Sequence, residues 1–390
     1  MTASRAILEQ MACVAHAVPL SSFSVGTITA GRITGKTEPG AEPLPLPSLT
    51  GCILCGQRLF IVQSLRSPRF SFRGEGGMLV VVMRLYPCDR YPLPLPAGHR
   101  FPLAKYALLR QRLEAEAADG ARLQFIQPHA ATPDELLRVH CRDYIGRVLA
   151  GRLTAAEVRR IGFPWSPELV ERSLRSTGAA VDAAAAAITD GVAASLAGGT
   201  HHAGSNWGEG FCLFNDTAVA ARELQDRGLV ERVLILDCDV HQGNGTAEIF
   251  STDPTVFTMS IHGGRNFPLR KFPSSLDVPL ADGTGDADYL RLLGPAVAES
   301  FDRGQPDLVL YIAGADPYAG DRLGRLRLSQ AGLLERDRLV FRATAAAGVP
   351  LAIVCGGGYC QDLEMVAAIH AATMLEASRL LWRPATTAGN

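Results

Sequence analysis

From residue 78 onward the apolar positions of this chain follow two rhythms. Short continuous runs at 233–236, 256–261, 308–312 and 351–354 are dominated by apolar residues and end in turn-forming or polar ones. Runs that short and that uniformly apolar read as strands buried on both faces. Before, between and after them, apolar residues recur at helical spacing over 216–226, 287–302, 330–347 and 363–381. Three helix starts are explicit. Thr132-Pro-Asp-Glu135 and Thr154-Ala-Ala-Glu157 are capping boxes, and Ser166-Pro-Glu168 opens an Ala-rich helix reaching Asp190. Strands alternating with helices predict an α/β fold around a mostly parallel sheet. With no internal repeat and no linker after Met78, residues 78–384 are expected to form one large domain, followed by a tail at 385–390.

The first 77 residues follow neither rhythm. They are rich in Ser, Gly, Pro and Thr, and the prolines of Gly40-Ala-Glu-Pro-Leu-Pro-Leu-Pro47 exclude a helix and suggest a polyproline-like linker. Seven Lys/Arg against four Glu in this stretch leave organellar targeting open, although residues 5–26 make no convincing amphipathic helix. Cys52-x-x-Cys55 has the spacing of half a zinc knuckle, with no second pair to complete it. The expectation is a disordered or non-native extension. Translation would then begin naturally at Met78 or Met83, where Met78-Leu-Val-Val-Val-Met83 starts the ordered pattern as a strand.

Composition narrows the function. A formal net charge of −1 over 390 residues argues against nucleic acid or an anionic membrane as a direct partner. The 35 arginines that accompany three lysines (38 − 3 = 35) are scattered rather than clustered. No apolar stretch reaches the roughly 18 residues of a membrane span. Nine cysteines, an odd number over a long chain, make no disulfide framework. Cys212, Cys238 and Cys355 lie in or beside apolar runs and read as buried, reduced thiols, which favours a cytoplasmic location.

The polar residues that need explaining sit just beyond the predicted strands, where open parallel sheets bind ligands. The run at 233–236 leads into Asp237-Cys-Asp-Val-His-Gln-Gly-Asn-Gly245, that at 308–312 into Ala313-Gly-Ala-Asp-Pro317, and that at 351–354 into Cys355-Gly-Gly-Gly-Tyr359. A fourth loop, Gly198-Gly-Thr-His-His-Ala203, carries two adjacent histidines. Residues two apart in extended chain point the same way, so Asp239 and His241 are expected to converge on one cation. Asp316 would add a third ligand, and three protein ligands with an open fourth position is the arrangement of a catalytic zinc site. A single Asp-x-His is most often capping or surface chemistry; four polar loops at successive strand ends are not. His201 and His202 would crowd a metal as ligands and suit acid/base work beside it. The glycines before Tyr359 let backbone approach a narrow channel. That leaves the tyrosine hydroxyl to donate to a developing oxyanion.

Together, Gly199-Thr-His-His-Ala203, Gly210-Phe-Cys-Leu-Phe-Asn-Asp216, the 237–245 segment, Gly314-Ala-Asp-Pro317 and Gly356-Gly-Gly-Tyr359 resemble the histone deacetylase superfamily. The His-Gln-Gly-Asn-Gly version is most similar to class IV and bacterial deacetylase-like members. The resemblance runs from about Met83 to the last helix and includes Tyr91-Pro-Leu-Pro-Leu-Pro-Ala-Gly-His-Arg-Phe101. It implies a three-layer α/β/α architecture of the arginase/deacetylase kind, and metal-dependent removal of an acetyl or other acyl group from acylated lysine in a protein or peptide. It further implies Asp239, His241 and Asp316 as ligands of Zn2+, with Fe2+ as the alternative. His202 becomes the principal general base and then acid, with His201 as its electrostatic partner. Asp237 and Asn244 orient those histidines, and Tyr359 polarises the scissile carbonyl. Phe211, Phe267, Gly357 and Gly358 line the substrate channel. Asp237, Asp239, His241, Ser260 and Ile261 correspond to a structural K+ or Na+ site. Cys238, Cys360 and Asn244 depart from common patterns, and an asparagine in place of the class I aspartate orients a histidine without holding its charge as strongly. None of these departures removes a primary ligand.

Two rivals share the implied fold or chemistry. A binuclear manganese ureohydrolase needs bridging carboxylates, for example two residues after the ligand histidine, where this chain has Gly243. Acetylpolyamines, other small acyl-amines and longer acyl chains are alternative substrates, decided by loops and oligomer contacts that the sequence does not reveal. A non-catalytic scaffold would show a broken ligand set, and this one is intact.

Overall fold

The structure, a computed structural model, describes residues 53–55, 58–60 and 82–380. These fall into two units. Within residues 16–80, β1 (Ile53–Cys55) and β2 (Arg58–Phe60) pair antiparallel with Leu54 opposite Leu59. Apart from these six residues, the front end of the chain up to residue 81 lies outside the described residues. The proposed linker at 40–47, the side chains of the Cys52-x-x-Cys55 pair and the 385–390 tail lie outside the described residues.

The larger unit is built on eight strands, all parallel, in the order β4-β3-β5-β10-β9-β6-β7-β8. They are β3 (Met83–Tyr86), β4 (Leu123–Phe125), β5 (Val192–Ser195), β6 (Val233–Asp237), β7 (Val256–Gly263), β8 (Leu276–Leu280), β9 (Leu308–Ile312) and β10 (Leu351–Val354). Four of these match the apolar runs read from the sequence. The strand expected at 78–83 is described only at its end, and β3 begins at Met83. The Pro-containing β8 sits at one edge, where a missing N–H is tolerated.

Strand side chains alternate between two cores. On β6, Val233 and Ile235 face one core while Leu234 and Leu236 face the other. The first core is closed by α5 (Pro167–Asp190) and α6 (Asp216–Asp226). The second is closed by α1 (Lys105–Ala118), α8 (Asp286–Gly304), α9 (Gln330–Ala347) and α10 (Leu363–Leu380). The result is the expected three-layer α/β/α arrangement. Shorter helices α2 (Pro133–Leu137), α3 (Arg142–Leu149), α4 (Ala155–Ile161) and α7 (Asn244–Ile249) complete it. Both predicted capping boxes form, at Thr132 with Glu135 and at Thr154 with Glu157. Ser166 caps α5 by accepting from Leu169 N, and the buried alanines from Ala179 to Ala187 let that helix lie close against the sheet. No described helix is long and apolar enough to cross a membrane.

The sheet order positions the chemistry. Strands β5, β10, β9 and β6 are consecutive neighbours in the middle of the sheet. The four polar loops therefore emerge side by side at their C-terminal ends.

Candidate active site

Asp239 and His241 follow β6, and their convergence has a different cause from the extended spacing expected. The chain bends directly after Asp237: Asp239 N donates to Asp237 Oδ1 (3.0 Å), and His241 N donates to Asp239 Oδ1 (2.9 Å). This side-chain-to-backbone turn, and not strand geometry, brings both side chains to one side. Asp316 arrives from the β9 loop, with Oδ1 accepting from Val240 N at 2.9 Å. Ligand atoms of Asp239, His241 and Asp316 lie within 4.8 Å of one another, and all three residues are buried. It is the single such group among the described residues.

The cluster fits a cation. Asp316 Oδ2 lies 3.2 Å from His241 Nδ1 yet makes no hydrogen bond. Two buried carboxylates share one imidazole. Burial and then the Asp239 charge push the Asp316 carboxyl up, while the His241 imidazole, which burial alone would lower, is raised by its contacts with Asp239 and Asp316. Buried carboxylates that raise their neighbours in this way call for more positive charge than one histidine supplies. The space is also shaped for it. A Cβ on Gly357 would overlap Asp316 Oδ2, and Gly357 N donates to Asp239 Oδ2 at 2.6 Å. One nitrogen and carboxylate oxygens with an open position is a donor set suited to zinc.

His201 and His202 occupy the loop after β5. Gly199 (φ +71°) lets it turn and pass against Gly356, whose Cα a Cβ on Gly199 would overlap. Asp216, fully buried at the start of α6, accepts from Gly199 N and Thr200 N at 2.9 and 3.0 Å. The imidazole centroids are 4.1 Å apart, but their partners differ. His201 Nδ1 is 2.6 Å from Asp237 Oδ2, and His202 Nδ1 is 2.7 Å from Asn244 Oδ1. Burial lowers both. Asp237 and Asp239 outweigh it at His201 and raise that group, whereas the His201 and His241 charges add to burial at His202 and hold it well below the usual range.

Tyr359 is fixed by its backbone: its N donates to Asp321 Oδ2 (2.5 Å) and its O accepts from Arg322 Nε (3.0 Å). Its ring lies 6.1 Å from that of Phe211 and 6.2 Å from that of His241. One cavity is lined by His201, His202, Phe211, Asp239, His241 and Tyr359. Phe267 is not among the residues that line it; it is 38% exposed and packs perpendicular to His202 at 4.9 Å. Gly357 lines this cavity, but Gly358 faces Ala315 and Val366 behind it. Ser260 is paired in register with Asp237, and Ile261 is buried in the second core.

Several residues important to this geometry were not singled out from the sequence. Lys105 is buried and donates to Gly356 O and Gly358 O at 3.3 and 3.4 Å. Arg336, His140 and Glu209 likewise support loops rather than line them in an obvious motif. Asp216 stood inside a quoted motif without an assigned part.

Residues 99–375 match the histone deacetylase domain family. The chain belongs to the histone deacetylase family. As a family member it is a deacetylase-type hydrolase acting on amide bonds. It is 44% identical over 274 residues to an uncharacterized protein of Picosynechococcus sp., covering 70% of this chain and 91% of that one. It is 31% identical to a histone deacetylase-like amidohydrolase of Pseudomonas aeruginosa, covering 69% and 74%. The crystal structure of an HDAC homologue complexed with SAHA superposes with a TM-score of 0.66 at 26% identity, covering 76% of this chain and 84% of that one.

Proposed function

We propose that this deacetylase is a zinc-dependent enzyme that removes an acetyl or other acyl group from acylated lysine, with ferrous iron as the alternative metal. The observation that carries the reading is the convergence of Asp239, His241 and Asp316, within 4.8 Å, in the cavity that His201, His202 and Tyr359 also line. Those three residues would hold the cation. When bound, it supplies Lewis acidity, which acidifies water and polarises a carbonyl.

This chain's own residues do the rest. His202, held neutral by burial and by its cationic neighbours, accepts the proton of the attacking water at Nε2 and returns it to the departing amine. His201, paired with Asp237, keeps positive charge beside the developing oxyanion. Tyr359 donates its hydroxyl proton in a hydrogen bond to that oxyanion. Phe211, Phe267 and Gly357 form the walls along an extended acyl-lysine side chain and exclude water. Asp237, Asp239, His241, Ser260 and Ile261 would bind a structural K+ or Na+, a role supported by the β6–β7 register that sets Asp237 beside Ser260.

The test is a screen of purified protein against acetyl-lysine peptides, long-acyl peptides and acetylpolyamines, before and after chelation. Hydrolysis of acyl-lysine peptides that is lost on chelation and restored by one equivalent of zinc is expected. Two manganese ions per chain, or activity untouched by chelator, would overturn the reading.

A further inference from the structure

The two site histidines are oriented by different means. His201 meets a carboxylate directly, whereas His202 meets a neutral amide, and an amide has two chemically opposite ends. If the Asn244 NH2 faced His202, the imidazole would have to present a lone pair at Nδ1 and carry its proton at Nε2, which leaves no base on the opposite edge of the ring. Something must therefore decide which way Asn244 points. Behind it stands Glu209, with Oε2 at 2.9 Å from Asn244 Nδ2. A carboxylate only accepts. It compels the amide NH2 toward itself, the amide oxygen toward His202, and the His202 proton onto Nδ1, leaving the Nε2 lone pair free.

Glu209 is built in, not loosely placed. Its side chain is only 17% exposed, and Arg160 Nε lies 3.3 Å from Oε1. Its backbone closes a tight turn with Cys212, with Glu209 N donating to Cys212 O (3.1 Å) and Cys212 N to Glu209 O (2.9 Å). The two residues inside that turn, Gly210 and Phe211, have φ of +55° and +67°, so Glu209 and the channel-lining Phe211 share one rigid element. Resting on the catalytic part given to His202 above, we propose that Glu209 is a positioning residue: through Asn244 it fixes the tautomer of the base. The relay also has a reason. A carboxylate placed directly on His202 would bind its proton tightly, whereas an amide backed by a carboxylate orients the ring while passing on less charge.

The test is a double-mutant cycle on the metal-loaded enzyme with Glu209→Gln, Asn244→Asp and the pair combined, beside His202→Ala. Glu209→Gln is expected to lower kcat by about tenfold, the low end for a supporting hydrogen bond at a metal site, with KM within twofold. In the Asn244→Asp background, where a carboxylate already faces His202, the same change should cost nothing or restore activity. A merely structural Glu209 would cost the same in both backgrounds, and that result overturns the proposal, as does wild-type kcat for Glu209→Gln. The second readout is independent of activity: two-bond 1H–15N spectra of histidine-labelled protein should show His202 Nε2 unprotonated in the wild type and a tautomer mixture in Glu209→Gln. Identical spectra overturn the inference. Full activity in His202→Ala would instead overturn the catalytic part given to His202 and leave the spectral test of Glu209 standing.

Discussion

A tyrosine supports an oxyanion only while it keeps its proton. Burial first, and then the Asp239 and Asp316 carboxylates, push the Tyr359 phenol well above its ordinary value of 10, which favours the protonated donor form. Tyr359→Phe preserves the ring beside Phe211 and removes only that donor. We expect kcat to fall at least about a hundredfold with KM little changed, and stability to shift by less than about 0.5 kcal/mol. Steady-state kinetics with thermal unfolding checks both, and near-wild-type turnover would remove Tyr359 from the mechanism. Residues of this kind were legible in the sequence because their chemistry is carried by side-chain type at a strand end. Lys105 was not. Its partners are the carbonyls of Gly356 and Gly358, and a backbone carbonyl leaves no mark in a sequence.

At the scale of elements, α9 reaches across the second core to hold two ligand loops at once. Arg336 has no exposed surface, and its Nη1 donates to Gly314 O (2.5 Å) and Cys238 O (3.4 Å), while Nε donates to Asp337 Oδ1 (2.9 Å). Asp337 in turn accepts from the Tyr311 and Thr373 hydroxyls, both at 2.6 Å. Arg336→Met fills much of the volume but strands a buried carboxylate, so a loss of about 3–5 kcal/mol is expected. Affinity for the proposed cation should weaken as well, because Gly314 and Cys238 neighbour Asp316 and Asp239. Urea unfolding with competitive metal titration measures the two effects, and a Met variant as stable as the wild type would refute this account of Arg336. The elements that the sequence announced carry a cap signature, as α2, α4 and α5 do, or a short unbroken apolar run, as β9 and β10 do. Those it hid are different: β5 is Val-Ala-Ala-Ser, small residues that become a strand only because neighbouring strands flank it on both sides. The turn at Asp239 was misread for a related reason, since an Asp side chain bonding backbone two residues on mimics the same-side convergence of an extended chain.

For the whole molecule, the layers and the parallel sheet were legible in the sequence and the strand order was not. Pairings such as β5 with β10 join residues more than 150 positions apart, which local pattern does not encode. His140 is the clearest long-range tie of this kind. Its Nδ1 donates to Gly204 O (2.9 Å), just past the tandem histidines, and its Nε2 accepts from Asn215 N (3.0 Å) at the cap of α6. Both ring nitrogens are thus committed to the neutral form, and burial lowers its pKa to about 4 from 6.5. The sign follows from proton counting: below pH 6.5 the unfolded chain protonates this histidine while the folded one does not, so stability is full above 6.5 and is lost as pH falls toward 4. The limiting loss is about 3 kcal/mol. Other groups titrate in the same range; His129, raised to about 9 chiefly by Asp182 and then Glu135, instead favours the folded state below 6.5 and loses that contribution as pH rises to 9. A comparison with His140→Gln, which keeps a donor and an acceptor but never charges, cancels those groups. The wild-type advantage in unfolding free energy should be constant above pH 7 and shrink steadily between pH 6.5 and 4.5. An advantage independent of pH over that range would mean that His140 is not held neutral in the folded protein.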